Sequence, residues 1–355
     1  MQTLRVQDET SPSPFGLPQL DRLLQAATES RLSATKTRRS SNPILELTSV
    51  ATGGGKTHLL YYLVAIAALP VCQGGKGACA IILDTDGTFC APRLAQQIRT
   101  ILIRQNDNGS RDSEDEQTLS EDHLMNVTLS SLTHVHIFRP QSLPSTIATL
   151  DTLPTYLFNK SLHHSIDRPV GFIALDSASA FYWQHRAEEE EAAFLTTTTT
   201  SATDPDRRPQ HSKPDPEKPT YTHLTTALKT AATTFSCPLL LTTQHHGPAP
   251  NIPSRAHIPG APDTRSLRPT SLPAPLAQLP TLRLILQRIP VRKFPPGIGI
   301  AEAQREARDR LAAVEEGKFE AVVNEWGIDE RTLARLQREG AGFGFRVVEE
   351  GVVME

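Results

Sequence analysis

The chain has 355 residues, enough for one large domain or two smaller ones, and a formal net charge of −3 at pH 7. This charge balance argues against a protein that coats nucleic acid by bulk charge alone. No signal peptide is visible, and the longest apolar run, 59–71, is too short to span a membrane, so we expect a soluble intracellular protein without membrane partners.

The N-terminal part predicts a disordered leader, a helix, a strand and a second helix. Residues 1–15 are expected to be disordered, whereas 16–27 carry leucines at helical spacing. The run 44–49 reads as the first strand. A helix follows from Lys56, and Pro70 stops it because proline cannot continue a helix.

Strands and helices then alternate as far as residue 243, and three of the strands are wholly apolar, as strands inside a parallel sheet are. The predicted strands lie at 77–83, 133–138, 170–176 and 238–243, with helices after Pro92 and at 143–160 and 221–235. This order predicts an α/β fold, with a mostly parallel central sheet flanked by helices and joined by right-handed crossovers. A ligand would bind at the carboxyl ends of its strands.

The C-terminal part predicts strands with shorter connections, which would extend the sheet in antiparallel fashion. It comprises strands at 281–289 and 318–324, a charged helix at 301–316, a helix capped by Asp329 that ends at Gly340, and a hairpin of 343–348 and 352–353. Low-complexity inserts whose composition does not support a packed core interrupt the chain at 106–122, 187–222 and 247–280. We therefore expect a single domain, 16–355, with three inserts.

The junction between the first strand and the second helix has the residue order of a phosphate-binding loop. Glycines let backbone N–H groups converge on an anion, and the helix N-terminus adds partial positive charge. Lys56 would reach the β- and γ-phosphates, and the Thr57 hydroxyl would bind Mg²⁺. The predicted ATP-binding residues are Gly53, Gly54, Gly55, Lys56, Thr57 and His58.

One position departs from the usual spacing of this loop, Gly-x-x-x-x-Gly-Lys-Ser/Thr. Val50 stands where the first glycine would fall, and a β-branched residue does not easily adopt positive φ. The loop entry must therefore differ. A plain glycine turn between a strand and a helix stays open as an alternative.

Acidic residues follow two of the predicted strands. Asp176 closes the apolar run 171–175, where it could hold a magnesium-bound water or merely cap a loop. Asp84 and Asp86 lie two residues apart and would point the same way in an extended segment. One of them could orient or deprotonate the water that attacks the γ-phosphate, and an acidic turn closed by Gly87 is the alternative.

Gln244 ends the strand at 238–243. A neutral amide there could report the γ-phosphate, because its hydrogen bond would vanish on hydrolysis. An ordinary loop glutamine is the alternative. His245 and His246 point apart in an extended segment, so they do not predict a metal site.

Four segments together resemble the RecA-type recombinase paralogue family. They are the glycine loop with its helix, the Leu-Asp-Thr-Asp-Gly-Thr-Phe run at 83–89, the Leu-Asp-Ser-Ala-Ser-Ala-Phe-Tyr-Trp run at 175–183 and the Leu-Leu-Thr-Thr-Gln run at 240–244. The likeness covers roughly 16–105, 133–186 and 221–246. The nine-residue run at 175–183 is the most specific of the four.

The resemblance implies a RecA-like P-loop NTPase fold and a role in homologous-recombination DNA repair in the nucleus. It implies hetero-oligomers with other recombinase paralogues, and single-stranded or branched DNA bound through that complex. It places the family's catalytic glutamate at Asp86 and its γ-phosphate-sensing glutamine at Gln244, which with Lys56 would form the catalytic set. The family's DNA-binding loops would follow Tyr182 and Gln244.

Departures from the family pattern favour an accessory subunit with slow or weak ATP hydrolysis. Asp86 is one methylene shorter than glutamate, and a displaced base can cost about a hundredfold in rate. No phenylalanine has alanine three positions later, so the family's Phe-x-x-Ala polymerisation motif is absent. The segment 247–280 lacks the dense basic and aromatic residues of a single-strand platform.

Three other functions stay open: a single-stranded-DNA-stimulated ATPase, a scaffold with a vestigial nucleotide site, and a small-molecule P-loop kinase. The kinase would need an arginine-rich lid, and the Pro-rich segment has only Arg255, Arg265 and Arg268.

Basic and aromatic residues outside the loop have open roles as well. DNA contact or a solvated strand face are the alternatives for Arg283, Arg288, Arg292 and Lys293. The run 181–183 could offer a stacking surface or pack in a core or subunit interface.

Overall fold

The computed structural model describes residues 13–35, 42–49, 52–109, 120–200, 219–244, 272–289 and 297–355. Predictions about the leader up to residue 12, about Val50, and about His245, His246, Arg292 and Lys293 lie outside these ranges. Most of the inserts at 187–222 and 247–280 lies outside them too. Among the described helices, none is long and apolar enough to cross a membrane.

The strands and helices follow the predicted order. The strands are β1 (Ile44–Ser49), β2 (Cys79–Asp84), β3 (Val135–Phe138), β4 (Val170–Asp176), β5 (Leu239–Gln244), β6 (Leu282–Arg288), β7 (Lys318–Val323), β8 (Gly342–Val348) and β9 (Gly351–Met354). The α-helices are α1 (Pro18–Thr35), α2 (Lys56–Ala68), α3 (Ala91–Gly109), α4 (Glu121–Leu132), α5 (Leu143–Leu157), α6 (Tyr182–Thr200), α7 (Tyr221–Phe235), α8 (Ala274–Ala277), α9 (Ile300–Glu315) and α10 (Glu330–Arg338).

The strands form one sheet in the order β3-β2-β4-β5-β1-β6-β7-β8-β9. Pairing is parallel from β3 to β6 and antiparallel from β6 to β9. The predicted α/β architecture, mostly parallel with antiparallel C-terminal strands, is therefore confirmed.

Both faces of the parallel part of the sheet, from β3 to β1, are buried. In β2, Ala80 and Ile82 belong to one apolar core, whereas Ile81 and Leu83 belong to the other, as the two-residue period of a strand requires. The first core contains α1, α2 and α3, and the second contains α5 and α7. Helices therefore cover both faces and fix the strand ends in place.

Five segments differ from the sequence-based expectation. The first helix continues past Ala27 to Thr35, and α4 was not expected because its buried positions include the polar Thr128 and Ser131. The expected break at Pro154 is absent, because α5 continues through this proline and ends three residues later at Leu157.

The other two differences are in the expected inserts. The end of the insert at 247–280 forms α8 and buries Leu272, Leu276 and Leu279 in the second core, because these leucines lie within a few residues of each other and face α7 and the sheet.

The first part of the insert at 187–222 is helical, since α6 runs to Thr200. Two i,i+4 contacts support the helix, from Gln184 to Glu188 and from Arg186 to Glu190, each at 3.0 Å.

A buried ion pair links β1 to β6 at the centre of the sheet. Arg283 Nε lies 2.9 Å from Oε2 of Glu46, which is only 2% exposed. The Thr243 hydroxyl donates to the other carboxylate oxygen at 2.8 Å, and Arg283 also donates to the Ala277 carbonyl. Arg283 is therefore engaged inside the fold, and neither of its predicted roles, DNA contact or a solvated strand face, is correct.

We expect Arg283→Met to lower the free energy of unfolding by about 3–5 kcal/mol, because it leaves Glu46 charged and unpaired in the interior. The double variant Glu46→Gln/Arg283→Met should lose clearly less, and Arg331→Met, at an exposed position, should change little. Urea unfolding of the four proteins measures these values. An Arg283→Met protein as stable as the wild type would contradict the assignment of a buried ion pair.

Candidate functional site

The ends of four adjacent strands bring the predicted site residues to one edge of the sheet. Ser49, at the end of β1, is the register partner of Gln244 at the end of β5. Asp84, at the end of β2, is the register partner of Asp176 at the end of β4. Since these parallel strands lie in the order β2-β4-β5-β1, all four carboxyl ends lie at the same edge of the sheet.

The glycine loop turns sharply from the β1 end into α2. Gly53 and Gly55 adopt the left-handed region, with φ of 75° and 92°. A Cβ at Gly54 would fall 2.5 Å from that of Ser49, so the loop packs closely on the strand end. The Leu59 amide donates to the Gly55 carbonyl at 2.9 Å, so the amides of 56–58 precede the first intrahelical bond and remain available to an anion.

The Lys56 ammonium group lies at the centre of the site. Its Nζ donates to Oγ of Ser49, a buried serine that the sequence did not single out. Burial lowers the pKa of Lys56, and the carboxylates of Asp176 and Asp86 oppose that shift. The predicted residues Lys56, Asp86 and Asp176 thus interact electrostatically, and Thr57 is half-buried in the first turn beside them.

Asp176 is 3% exposed and carries one unsatisfied oxygen. Its Oδ1 accepts a hydrogen bond from the Thr242 hydroxyl, whereas Oδ2 has no hydrogen-bond partner in the described part of the chain. Burial raises the pKa of Asp176, and the Thr242 bond opposes the rise. A buried carboxylate oxygen without a donor is what a cation site provides, so these residues fit Mg²⁺ between Asp176 and Thr57.

Asp84 and Asp86 have different environments. Asp84 is fully buried, and its carboxylate accepts from the amides of Thr88 and Phe89 at 3.0 and 3.2 Å and from Arg139 Nε at 3.1 Å. Asp84 therefore closes the turn that follows β2. Asp86 lies in that turn and is exposed; desolvation, then Asp84, raises its pKa, while Lys56 lowers it.

Gln244 and His58 occupy the rim of the site. The backbone N–H of Gln244 donates to Ser179 Oγ at 3.2 Å, which fixes the main chain at the end of β5. The Gln244 side chain is half-buried. His58 is exposed in the first turn of α2. Both lie where the sequence places them.

Sequence reasoning missed three supporting residues: Ser49, Thr242 and Arg139. Each has a polar group directed at a predicted site residue or its turn. Hydroxyl residues near strand ends are common, and no local pattern marks which of them contacts a distant carboxylate. These contacts depend on strand order, which places distant segments side by side.

Comparison with known proteins gives a partial sequence match and a weak structural match. No protein-family model matches. Over 123 residues the chain is 28% identical to DNA repair protein RAD51 homolog 3 of Cricetulus griseus, a stretch that covers 34% of this chain and 32% of that protein. The chain thus matches about a third of the length of this relative.

A crystal structure of the RadB recombinase is a weak structural match, with a TM-score of 0.42 and 15% identity, covering 88% of this chain and 90% of that one. The strand order and pairing described above, rather than this likeness, establish the architecture.

We expect Asp176→Asn to stabilise the nucleotide-free protein by about 1 kcal/mol in the free energy of unfolding, because it removes a poorly solvated charge. The unfolding midpoint should rise accordingly. Since burial raises the pKa of Asp176, the penalty is largest above that raised pKa and fades as pH falls through it. The gain over wild type should fade with it. The variant should also lose any stabilisation that ATP with Mg²⁺ confers.

Asp84→Asn is the matched control for this measurement, because Asp84 is equally buried but fully hydrogen-bonded. It should lower stability by about 1–3 kcal/mol at neutral pH. Thermal unfolding from pH 7 down to pH 5, with and without ATP and Mg²⁺, separates the two. A loss of stability in both variants would show that the unpaired oxygen of Asp176 carries no penalty.

Proposed function

We propose that this chain is a RecA-like, ATP-binding recombinase paralogue that acts in homologous-recombination repair of DNA double-strand breaks. In this proposal, the chain is an accessory subunit of a nuclear paralogue complex on DNA and hydrolyses ATP slowly or weakly. The observation that carries it is the half-buried Lys56 at the mouth of a glycine loop, facing Asp176 with its unpaired oxygen.

Motif order favours one member of the paralogue family. The runs at 83–89 and 175–183 resemble those of X-ray repair cross-complementing protein 2, and we propose this protein as a counterpart. The similarity to RAD51 homolog 3 supports the family, although it extends over only 34% of this chain. We further propose that 16–355 act as one domain, because all nine strands join a single sheet.

The chain's own groups suggest how a nucleotide would be held. The amides of 53–58 would surround the phosphates, and Lys56 would leave Ser49 to contact the β- and γ-phosphates. Asp176 and Thr57 would hold Mg²⁺, which supplies charge neutralisation at the phosphate oxygens. Gln244, on the neighbouring strand end, would face the γ-phosphate.

Weak hydrolysis follows from the position of Asp86. An exposed aspartate in a turn positions a proton acceptor less firmly than a buried, fully hydrogen-bonded group such as Asp84 does. The γ-phosphate would then be bound for long periods. ATP binding would serve mainly to stabilise contacts with neighbouring subunits.

A DNA-stimulated ATPase is the second candidate. It is favoured by Trp183, which is 54% exposed at the start of α6, with the Arg186 guanidinium 6.0 Å from its ring centroid. Aromatic and arginine side chains together form stacking surfaces for single-stranded bases. Because α6 begins just after β4, DNA bound there would lie near Asp176.

The test is ATP binding and phosphate release by the full chain, alone and with co-expressed recombinase paralogues, with and without single-stranded DNA. We expect ATP with Mg²⁺ to bind, Lys56→Ala to weaken binding at least about tenfold, and turnover to stay well below about 1 s⁻¹. Lys229→Ala, at an exposed position on α7, is the charge-matched control.

Each alternative has its own outcome in this test. Turnover that rises to typical enzyme rates on adding DNA would favour the DNA-stimulated ATPase. No ATP binding in any partner complex, together with full repair activity of Lys56→Ala in cells, would favour a scaffold and overturn the proposal.

A further inference from the structure

Hydrogen bonds connect three hydroxyl residues, Thr85, Ser177 and Ser179, next to the predicted site residues. We refer to them as the hydroxyl ladder. Thr85 Oγ1 donates to the Ser177 carbonyl and accepts from the Ser177 amide, both at 2.7 Å. The Thr85 amide also donates to the Asp176 carbonyl at 2.7 Å. Three short hydrogen bonds therefore tie Thr85, in the turn after β2, to the last residue of β4 and to the residue that follows it.

The ladder continues from β4 to β5. Oγ of Ser177 lies 2.8 Å from Oγ of Ser179, and Oγ of Ser179 accepts a hydrogen bond from the backbone N–H of Gln244 at 3.2 Å. Both serines are buried, at 8% and 6% exposure. Hydrogen bonds shielded from water are stronger and hold geometry better than exposed ones, so the ladder forms a rigid cross-connection.

Each residue of the hydroxyl ladder adjoins or contacts a residue of the proposed site. Thr85 directly precedes Asp86, Ser177 directly follows Asp176, and Ser179 holds the main chain of Gln244. Beyond Asp84 and Asp176 the chain has left the strands, so hydrogen bonds between paired strands no longer fix it, and Gln244 is the last residue of β5. The hydroxyl groups provide the cross-connections that the sheet no longer supplies.

We propose that the hydroxyl ladder positions Asp86, Asp176 and Gln244 relative to one another, and that Thr85 is its principal positioning residue. This inference rests on the proposed nucleotide site. Thr85 has this place because its hydroxyl makes two bonds to the main chain of Ser177 and its amide makes a third to the Asp176 carbonyl, whereas the Ser179 hydroxyl makes one bond to β5. Displacement of a metal ligand or base by about 1 Å is enough to lower binding or rate substantially.

The test compares Thr85→Val, which keeps the side-chain shape but removes the hydroxyl, with Thr85→Ser, which keeps the hydroxyl. Ser179→Ala probes the second rung. Thr128→Val is the matched control, because its buried hydroxyl donates to the Leu124 carbonyl at 2.7 Å in α4, outside the ladder and the site. ATP and ADP affinities are measured on the full chain with its partners, in Mg²⁺ and in EDTA, together with unfolding midpoints.

We expect Thr85→Val to weaken ATP binding about tenfold in Mg²⁺ and much less in EDTA, because the misplaced group is the metal-holding carboxylate. Thr85→Ser should restore wild-type affinity. Ser179→Ala should reduce the preference for ATP over ADP, because Gln244 would face the γ-phosphate. Thr128→Val should lower the unfolding midpoint without changing either ratio. Equal Mg²⁺ dependence in Thr85→Val and Thr128→Val would overturn the inference.

Failure of the proposed function gives a different result. If the wild type binds no ATP in any complex, the proposed function is overturned, and hydrogen exchange of the nucleotide-free protein then judges the ladder itself. Faster exchange at 85–88 in Thr85→Val than in Thr128→Val would support the tie between β2 and β4, and unchanged exchange would overturn it.

Discussion

The site depends on one electrostatic balance, between the half-buried ammonium of Lys56 and the carboxylates of Asp176 and Asp86. Burial lowers the pKa of the lysine and raises that of both acids, so each group is charged at a cost. Attraction between Lys56 and the two carboxylates offsets part of that cost, whereas Asp86 raises the pKa of Asp176 further. A phosphate alone would repel the carboxylates, and a divalent cation alone would repel Lys56. The arrangement therefore favours a metal–phosphate ligand that brings both charges at once.

The rest of the fold holds this balance in place. Helix α2 buries Leu59, Leu60 and Leu63 completely, so the amide groups at its start are anchored by the core. The buried pair of Glu46 and Arg283 connects β1 to β6 just behind the glycine loop. The hydroxyl ladder connects the ends of β2, β4 and β5. A rigid scaffold with polar groups at its rim is the arrangement that binding sites in open α/β sheets use.

Local patterns predicted most of the fold. The bounds of β4 and α7 were predicted to the residue, because apolar runs and helical periodicity are properties of short segments. Helix α4 was missed because Thr128 and Ser131 fill inward positions that the pattern expects to be apolar. Arg283 was misjudged because its partner, Glu46, lies 237 residues away. Likewise, only the structure separates the buried, turn-closing Asp84 from the exposed Asp86.

The most direct test of this balance is the coupling between ATP and Mg²⁺, measured by calorimetry on the full chain, alone and with co-expressed recombinase paralogues. Because binding linkage is reciprocal, Mg²⁺ should raise ATP affinity by about tenfold or more, and ATP should raise Mg²⁺ affinity by the same factor. Equal ATP affinity with and without Mg²⁺, or no ATP binding at all, would contradict the account.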